Sequence, residues 1–425
     1  MKKLYFIFIC LCMASFCLTA CTDDEGKQSS GTNLTPDEHK EKLENIGLEV
    51  LGKINPADHE RLLNAIDNFA RLADDGLDIE RDKAIQSGVN LAKTMANICR
   101  RSNPGEMMSF ANAKSDMYAA AQFAKIYTYN NGNWEATESD DRSLEFRFPV
   151  DNQDAVLRIT ASEEETFVDL HDENGIHYAA YIPHTATATF TLGGETLANV
   201  NVETDVNNEA RTAVVNSTMN SNSYEFSALV NASKTDASAD FSVVVRGETL
   251  ISGTTHVTGT DMTDGDNISD IVGNDGDNLE DMFNEANAEV NINNRAIIKA
   301  SCSNINAFVD LLEDLDNRYP SWEEQDSQEY NDKVAAAYNK YNTAELYYTD
   351  GDNVIANLSM QSYLYEDTYN PEYNYYDVEP IITFVSDESS FSIESYFDEI
   401  SFNDLINSAE DLTEAYKDYL QYLVG

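Results

Sequence analysis

The spacing of apolar residues changes near residue 126, from a helical period to a strand period. Before that point apolar side chains recur every three or four residues, as Leu62, Ile66 and Phe69 do, which is typical of amphipathic helices. Helix-breaking pairs separate the repeats at Asn55-Pro56 and Pro104-Gly105. The pattern predicts a helix over 36–51 and a second helix that ends near Gly76. Further helices are predicted over about 82–101 and over 106–125.

Beyond residue 126 apolar and polar residues alternate, which is typical of strands with one buried face. Leu144, Phe146 and Phe148 alternate with polar neighbours, and Asn174-Gly175 is a strong hairpin signal. Roughly ten short strands separated by tight turns predict a long antiparallel meander over residues 126–262. Because a meander of this length usually curls, we expect an open, curved sheet or a half-barrel.

The hairpin around Gly193-Gly194 allows its register to be predicted. A two-residue loop sets Ala188 opposite Asn199, whereas a three-residue loop sets Ala188 opposite Val200. Only the second register keeps one face of the hairpin apolar. We therefore expect an odd loop with a glycine bulge.

An acidic, glycine-rich loop over 260–278 precedes a return to the helical period. An apolar line that includes Ile298, Cys302 and Val309 predicts a long helix over residues 279–317. The remaining elements are predicted as a helix over 323–342, strands over 344–349, 354–365, 381–385 and 391–396, and a helix over 402–424. The order of helices, strands, helices, strands and a final helix defines an α+β protein, and it leaves open whether the last hairpins extend the first sheet.

The chain is strongly acidic. It carries 76 acidic and 27 basic residues, a formal net charge of −49. Such a charge repels phosphate backbones and anionic lipid headgroups, so we expect no nucleic-acid partner. A hydrophobic content of 42% is sufficient for packed cores.

The first thirty residues have the charge order of a secretory signal. Two lysines precede an apolar run of about fifteen residues, which is too short to cross a bilayer. The run ends in Leu18-Thr19-Ala20-Cys21, and Asp23-Asp24-Glu25 follows. The first of these motifs resembles the lipobox of bacterial lipoproteins, which implies cleavage before Cys21 and acylation of Cys21.

The acidic patch after Cys21 is similar to that of Bacteroidetes surface lipoproteins. This resemblance implies a lipid anchor on the outer face of the outer membrane, with the periplasmic side as the alternative. The chain then divides into a signal peptide over 1–20, a lipidated flexible tether over 21–35, a helical segment over 36–125, the β-meander over 126–262, an acidic loop with helices over 263–342, and β-hairpins with a C-terminal helix over 343–425.

No sequence motif indicates an enzyme. The chain has no G-x-S-x-G, P-loop, G-x-G-x-x-G or H-E-x-x-H sequence. His171, His177 and His184 fall within fourteen residues, but a two-residue turn at Asn174-Gly175 sets His171 opposite Tyr178 and on the other face from His177. We expect no catalysis, no cofactor and no histidine-bound metal, while calcium binding by the 261–277 loop stays open.

Two cysteines besides Cys21 remain in the predicted mature chain, Cys99 and Cys302. Each lies on an apolar helical stripe, where a thiol is usually buried and unreactive. In an exported protein the alternatives are two free thiols or one disulfide, which would tie the first helical segment to the middle one.

Tyrosines concentrate in the last part of the chain. Sixteen of the 23 tyrosines lie between Tyr319 and Tyr422, and residues 341–425 contain eighteen acids and one base, Lys417. Exposed aromatic rings among carboxylates suit stacking on sugar rings or on cationic peptides, whereas a half-buried strand face is the alternative interpretation. The candidate ligand-binding residues are Tyr369, Tyr373, Tyr375 and Tyr376.

Two functions fit these patterns. The first is a binding or accessory protein for an extracellular glycan or peptide, held at the membrane through Cys21. The second is a carrier that holds an amphiphile on the apolar concave face of the open sheet, which requires that this face is not fully packed. An enzyme is a distant third.

Overall fold

The computed structural model describes residues 34–76, 83–101, 114–171, 177–260, 283–351, 353–366, 374–397 and 402–424. They divide into two compact units. Within the described ranges, the first unit contains residues 34–52, 253–260 and 283–409, and the second contains 53–252 and 410–424. None of the described helices is long and apolar enough to span a bilayer.

Helices precede, interrupt and follow the strands, as predicted. Two of the predicted ends are confirmed closely, because the second helix ends at Gly76 and the third spans Lys83–Arg101. A single 3₁₀ turn, Pro56–Asp58, lies between the first two. The helices are α1 (Pro36–Lys53), α2 (Glu60–Gly76), α3 (Lys83–Arg101), α4 (Lys114–Phe123), α5 (Ile305–Arg318), α6 (Trp322–Gln325), α7 (Gln328–Tyr341), α8 (Ile393–Tyr396), α9 (Asn403–Tyr419) and α10 (Gln421–Val424).

The strands fall in two runs that α5 to α7 separate. The first run is β1 (Lys125–Asn130), β2 (Asn133–Glu138), β3 (Ser143–Val150), β4 (Gln153–Ala161), β5 (Glu165–His171), β6 (His177–Pro183), β7 (Thr185–Leu192), β8 (Glu195–Asn207), β9 (Thr212–Ser221), β10 (Tyr224–Ala232), β11 (Asp236–Val245), β12 (Glu248–Gly259), β13 (Phe283–Ile292) and β14 (Ala296–Cys302). The second run is β15 (Asn342–Tyr348), β16 (Val354–Tyr365), β17 (Tyr375–Phe384) and β18 (Ser390–Ser392).

Sixteen of the described strands are hydrogen-bonded in one open sheet. The order is β18-β17-β16-β15-β14-β13-β12-β11-β10-β9-β8-β7-β4-β3-β1-β2, and β5 and β6 form a separate pair. The last hairpins therefore extend the first sheet, which settles the point that the sequence pattern left open. The described registers are antiparallel, except that β1 runs parallel to β3. The predicted α+β class with a long antiparallel meander is confirmed.

The β7–β8 hairpin has the predicted pairing but a different turn. Ala188 pairs with Val200 as predicted. The loop is only Gly193-Gly194, with φ angles of 59° and 84° that suit a type I′ turn. The extra residue is Leu197, which bulges where the register shifts between Phe190 and Thr191. The apolar pattern determined the pairing, whereas turn geometry determined where the extra residue lies.

The predicted helix over 279–317 is wrong in its first half. Phe283–Ile292 and Ala296–Cys302 are strands β13 and β14, and only Ile305–Arg318 is helical. A turn at Asn293-Asn294 joins the strands, and both asparagines have positive φ. Asparagine tolerates this conformation better than other residues with side chains, which makes it a hairpin former. The segment predicted as an acidic loop with helices, 263–342, therefore also contributes two strands.

Two further predictions need smaller corrections. The strand predicted over 391–396 is instead the short β18 followed by α8, because the Ser392 side chain accepts a hydrogen bond from the Ser395 amide and caps a helix there. The helix predicted over 323–342 is divided into α6 and α7, since the side chains of Ser321 and Ser327 each begin a new helix as N-caps.

In the second unit, α2 and α3 cover the apolar face of the strands. Phe69 of α2 lies against Phe146 and Phe148 of β3, with ring centroids 5.2 and 5.0 Å apart. Gly88 of α3 lies so close to the sheet that an added Cβ would be 2.4 Å from Phe146 Cε2. The rings of Phe69 and Phe146 are fully buried.

The other face of these strands is lined by small polar side chains. Thr187 of β7 pairs with Asn201 of β8, which pairs with Thr218 of β9. Further along the same row, Ser227 and Ser242 hydroxyls are 2.7 Å apart. This alternation of apolar and polar faces explains the period of two in the sequence.

In the first unit, α5 and α7 pack together on the sheet. Phe308 of α5 lies against Tyr338 and Tyr341 of α7, with ring centroids 4.9 and 6.1 Å apart. Cys302 and Leu312 belong to the same buried cluster. This packing fixes α7 beside the β16–β17 hairpin.

Candidate functional site

The structure describes some of the predicted site residues and not others. Cys21, Tyr369 and Tyr373 lie outside the described residues. Tyr375 and Tyr376 are the first two residues of β17, so they belong to a strand rather than to the predicted loop. Because side chains alternate along a strand, these two tyrosines point to opposite faces of the sheet.

Tyr375 forms an exposed aromatic cluster with two residues of β16. Its ring stacks on Tyr365, with centroids 5.2 Å apart and planes 12° apart. Tyr363 meets Tyr365 edge-on, with centroids 5.1 Å apart. Tyr363 is 50% exposed and Tyr375 is 42% exposed. We call Tyr363, Tyr365 and Tyr375 the tyrosine platform.

The strand register explains why these three rings meet. Tyr363 and Tyr365 are two residues apart in β16 and share one face. Tyr365 pairs directly with Tyr375 of β17. Direct cross-strand neighbours have Cβ atoms about 5 Å apart, so aromatic pairs at such positions contact each other.

The opposite side of β17 is held in place by the α6–α7 connection. The Tyr376 amide donates to the Asp326 carbonyl at 2.8 Å. Asn331 of α7 is 3% exposed, and its Nδ2 donates to the carbonyl oxygens of Tyr376, Gln325 and Ser327 at 2.9, 2.7 and 3.0 Å. These bonds fix the backbone next to Tyr375 and therefore the position of its ring.

The surroundings of the platform are acidic. Asp377 is exposed and pairs across the strands with Tyr363. Glu366 directly follows β16. Residues 354–384 contain no lysine, arginine or histidine and five acids, which are Glu366, Asp367, Glu372, Asp377 and Glu379.

Tyr363, Tyr365 and Asn331 were not among the residues predicted from the sequence. The densest run of tyrosines lies near Pro371, although Tyr-Leu-Tyr at 363–365 has the alternation that places two rings on one strand face. The partner of Tyr365 depends on the register of a hairpin whose turn has no strong signal. Asn331 gave no signal, because a single asparagine in a helical segment does not reveal its three acceptors.

A second exposed aromatic pair lies in the separate β5–β6 sheet. Phe167 and Tyr181 pair directly, and their ring centroids are 5.3 Å apart. Tyr181 is 66% exposed. The pair has only two rings, so it offers a smaller surface than the platform and serves as a comparison for it.

His39 is buried in the first unit as a neutral side chain. Its Nδ1 lies 3.1 Å from Tyr348 Oη, and its ring stacks on Phe384 with centroids 5.0 Å apart. Its Nε2 has no hydrogen-bond partner among the described residues. Burial, with a smaller effect of Lys42, lowers the pKa of His39 to about 4.

His59 has the same construction in the second unit. Its Nδ1 lies 3.2 Å from Ser221 Oγ, and its ring lies 4.3 Å from that of Tyr224. Within the described residues, His59 Nε2 and the hydroxyl of nearby Tyr416 both have no hydrogen-bond partner. Burial lowers the pKa of His59 to about 4. Neither histidine reaches the surface, so we assign both to the cores.

Cys99 and Cys302 are free thiols in the structure, so the possible disulfide is not formed. The physical reason is that each thiol is buried in the core of a different unit. Cys99 is hydrogen-bonded to Ser221, and burial raises its pKa to about 12. Cys302 packs with Phe308, and burial raises its pKa as well. Both thiols are therefore protonated and unreactive.

The described residues form no metal site. No three His, Cys, Asp or Glu side chains converge among them as ligands. The predicted pairing of His171 with Tyr178 is wrong, because β5 and β6 pair His171 with His177 across a longer connection. That connection, 172–176, and the acidic 261–277 loop lie outside the described residues.

No protein-family model, curated protein or solved structure matches this chain. Function is therefore argued from the residues themselves. The tyrosine platform is the strongest candidate, because Tyr363 and Tyr375 are exposed, both rings contact Tyr365, and Asp377 pairs with Tyr363 across the strands.

Proposed function

We propose that the protein is a lipid-anchored outer-membrane protein that binds an extracellular glycan or peptide through the tyrosine platform. The observation that carries this proposal is the stacked pair Tyr365–Tyr375 with Tyr363 edge-on beside it on an exposed strand face. Aromatic rings fixed in this way offer large flat contact area and lose little conformational entropy on binding.

The anchor supports an outward-facing binder. Acylated Cys21 would hold the chain at the membrane, and residues 21–35 would act as a polar tether. A net charge of −49 repels anionic headgroups. The body would therefore stand away from the bilayer, with the platform open to solvent.

The structure gives less support to an amphiphile carrier. A carrier needs apolar side chains that a ligand can reach. Phe146, Phe190 and Phe226 on the covered face of the second unit are instead fully buried against protein. The exposed rings of the platform make binding at an open surface the better-supported function.

The anchor is tested by Cys21→Ala expressed in a Gram-negative host. We expect the variant to move from the membrane fraction to the soluble fraction with an unchanged circular dichroism spectrum. The released chain also provides the material for binding assays. Retention in the membrane fraction would contradict the anchor.

Binding is tested with the Cys21→Ala chain on glycan and peptide arrays. Combining Tyr363→Ala with Tyr375→Ala should weaken binding about tenfold, since each aromatic contact contributes about 0.5–1.5 kcal/mol. Tyr181→Ala is the matched control, because it removes an exposed tyrosine elsewhere. Silence on both arrays, or equal binding by the double variant and the control, would refute the proposal.

A further inference from the structure

We propose that the tyrosine platform binds a basic peptide segment whose lysine or arginine side chains lie over the rings of Tyr363 and Tyr375, next to Asp377. This inference rests on the proposed function and narrows its ligand to one class. It follows from a pattern that the first unit uses repeatedly in its own folding.

The first unit places its own lysines over tyrosines that have a carboxylate nearby. Lys42 Nζ lies 3.8 Å from the Tyr348 ring centroid and 3.0 Å from Asp350 Oδ2. Here the tyrosine and the aspartate are two residues apart. The cation thus gains the ring's quadrupole and an ion pair together.

A second lysine repeats this arrangement, and a third contacts the hydroxyl of a tyrosine beside a carboxylate. Lys333 Nζ is hydrogen-bonded to Tyr319 Oη and lies 2.6 Å from Glu329 Oε1, so it lies at the edge of that ring. Lys299 Nζ lies 5.3 Å from the Tyr347 ring centroid and 3.2 Å from Glu289 Oε2. A tyrosine ring beside a carboxylate is therefore a recurrent lysine site in this unit.

The platform has the same two components, exposed tyrosine rings and a carboxylate, on one strand face. Tyr375 and Asp377 are two residues apart on one strand face, and Asp377 pairs with Tyr363. Among the described residues, no lysine, arginine or histidine forms an ion pair with Asp377 or lies over Tyr363 or Tyr375. The hairpin residues 354–384 supply none in sequence either.

Electrostatics favours a cationic ligand over the other classes. The five acids of 354–384 and the net charge of −49 attract cations and repel anionic peptides and acidic polysaccharides. A neutral sugar could stack on the rings but would gain nothing from Asp377 as an ion pair. A basic side chain uses both the ring and the carboxylate.

The spacing of the rings suits an extended peptide. Tyr363 pairs with Asp377 and Tyr365 pairs with Tyr375, so Tyr363 and Tyr375 are diagonal neighbours, and such positions are about 7–8 Å apart. Alternate side chains of an extended peptide are about 7 Å apart and lie on one side. Two basic residues at alternate positions can therefore each cover one exposed ring.

The test measures fluorescence anisotropy of a labelled peptide with alternating arginine and serine against the Cys21→Ala chain. Peptides with glutamate or glutamine in place of arginine, and a neutral oligosaccharide, are the comparison ligands. We expect the arginine peptide to bind, the glutamate peptide not to bind, and the affinity to fall as salt rises.

Variants then assign binding to the platform. Tyr363→Ala and Tyr375→Ala should each weaken binding roughly two- to fivefold, as expected for a cation over an exposed ring. Tyr375→Phe should keep most of the affinity, because the ring face remains. Asp377→Asn should weaken binding at low salt and reduce its salt dependence. Tyr181→Ala and Asp205→Asn, which change exposed side chains of the second unit, should bind as the parent does.

The outcomes separate this inference from the proposed function. If the arginine peptide binds the platform variants and the parent equally, the binding reflects overall charge, and the inference is wrong. If only the oligosaccharide binds and needs Tyr363 and Tyr375, the inference fails and the proposed function stands. If none of these ligands binds, the inference fails, and the proposed function fails with it when the glycan and peptide arrays are silent as well.

Discussion

Gly88 shows how one residue sets the distance between a helix and the sheet. It lies in the interior of α3, where alanine is normally favoured by about 1 kcal/mol. The ring of Phe146 occupies the place where a Cβ would be. The cost of glycine in the helix is offset by close packing of α3 on β3.

Gly88→Ala should therefore destabilise the second unit, although alanine is the better helix former. A Cβ at 2.4 Å from Phe146 Cε2 forces the ring or the helix to move, and overpacking of this kind costs about 1–3 kcal/mol. Urea unfolding measures the change in the free energy of unfolding.

Gly52→Ala is the matched control for Gly88→Ala. Gly52 lies in α1 with no atom within 4 Å of an added Cβ. Helix propensity then acts alone and should stabilise by up to about 1 kcal/mol. Equal effects of the two substitutions would show that the contact with Phe146 does not matter.

For single residues, the sequence predicted part of the candidate site. The abundance of tyrosines led to Tyr375, but Tyr363 and Tyr365 belong to the platform because of a strand register across residues 366–374. Long-range pairing of this kind depends on packing of the whole hairpin, and a single sequence contains little information about it. Composition therefore found the region, and register determined which rings meet.

Among the elements, alternation was the most informative pattern. The alternating residues Leu144, Phe146 and Phe148 lie in β3, and Ala188 of the predicted hairpin lies in β7. The failure at 279–317 has a physical cause, because Ile298 and Cys302 are four residues apart and fit a helix as well as a strand. The Asn293-Asn294 turn decides between the two, and its positive φ angles are visible only in the structure.

Asn331 links two elements, because its side chain donates hydrogen bonds both to the segment between α6 and α7 and to the backbone of β17. Asn331→Asp replaces a donor by a carboxylate that faces three carbonyl oxygens. We expect a loss of about 2 kcal/mol or more in the free energy of unfolding, because a buried hydrogen-bonded network is broken and a charge is buried. The displaced strand should also weaken ligand binding at the platform.

Asn220→Asp is the control for this substitution, because Asn220 is exposed on β9. It adds the same negative charge and should change stability by less than about 0.5 kcal/mol. Binding at the platform should stay at the parent level. If Asn331→Asp behaves like Asn220→Asp, the network does not position β17.

For the whole molecule, the sequence indicated the class of fold but not the continuity of the sheet. β14 and β15 are neighbours in the sheet although α5 to α7 lie between them in sequence. Neighbours of this kind require closure of a long loop, which local patterns do not encode. Charge, in contrast, was evident from composition and affects the whole protein.

The two buried histidines predict a specific dependence of stability on pH. His39 and His59 have pKa values of about 4 in the folded protein and about 6.5 when unfolded. Above pH 6.5 each histidine is neutral in both the folded and the unfolded protein, so it does not make stability depend on pH. Between pH 6.5 and 4 only the unfolded chain takes up these protons, so acidification destabilises each unit by up to about 3 kcal/mol per histidine.

Substitution of the histidines separates their effect on stability from that of the carboxylates. Protonation of the carboxylates relieves the repulsion within a chain of net charge −49. His39→Gln and His59→Gln cannot take up the proton, so each should flatten the fall of melting temperature between pH 7.5 and 4.5 even where it lowers stability at neutral pH. His184→Gln is the control, because that side chain is 43% exposed. Equal slopes for all three variants and the parent would mean that buried histidines do not set the acid sensitivity. A slope flattened only by His39→Gln or only by His59→Gln would identify the unit that unfolds first as the pH falls.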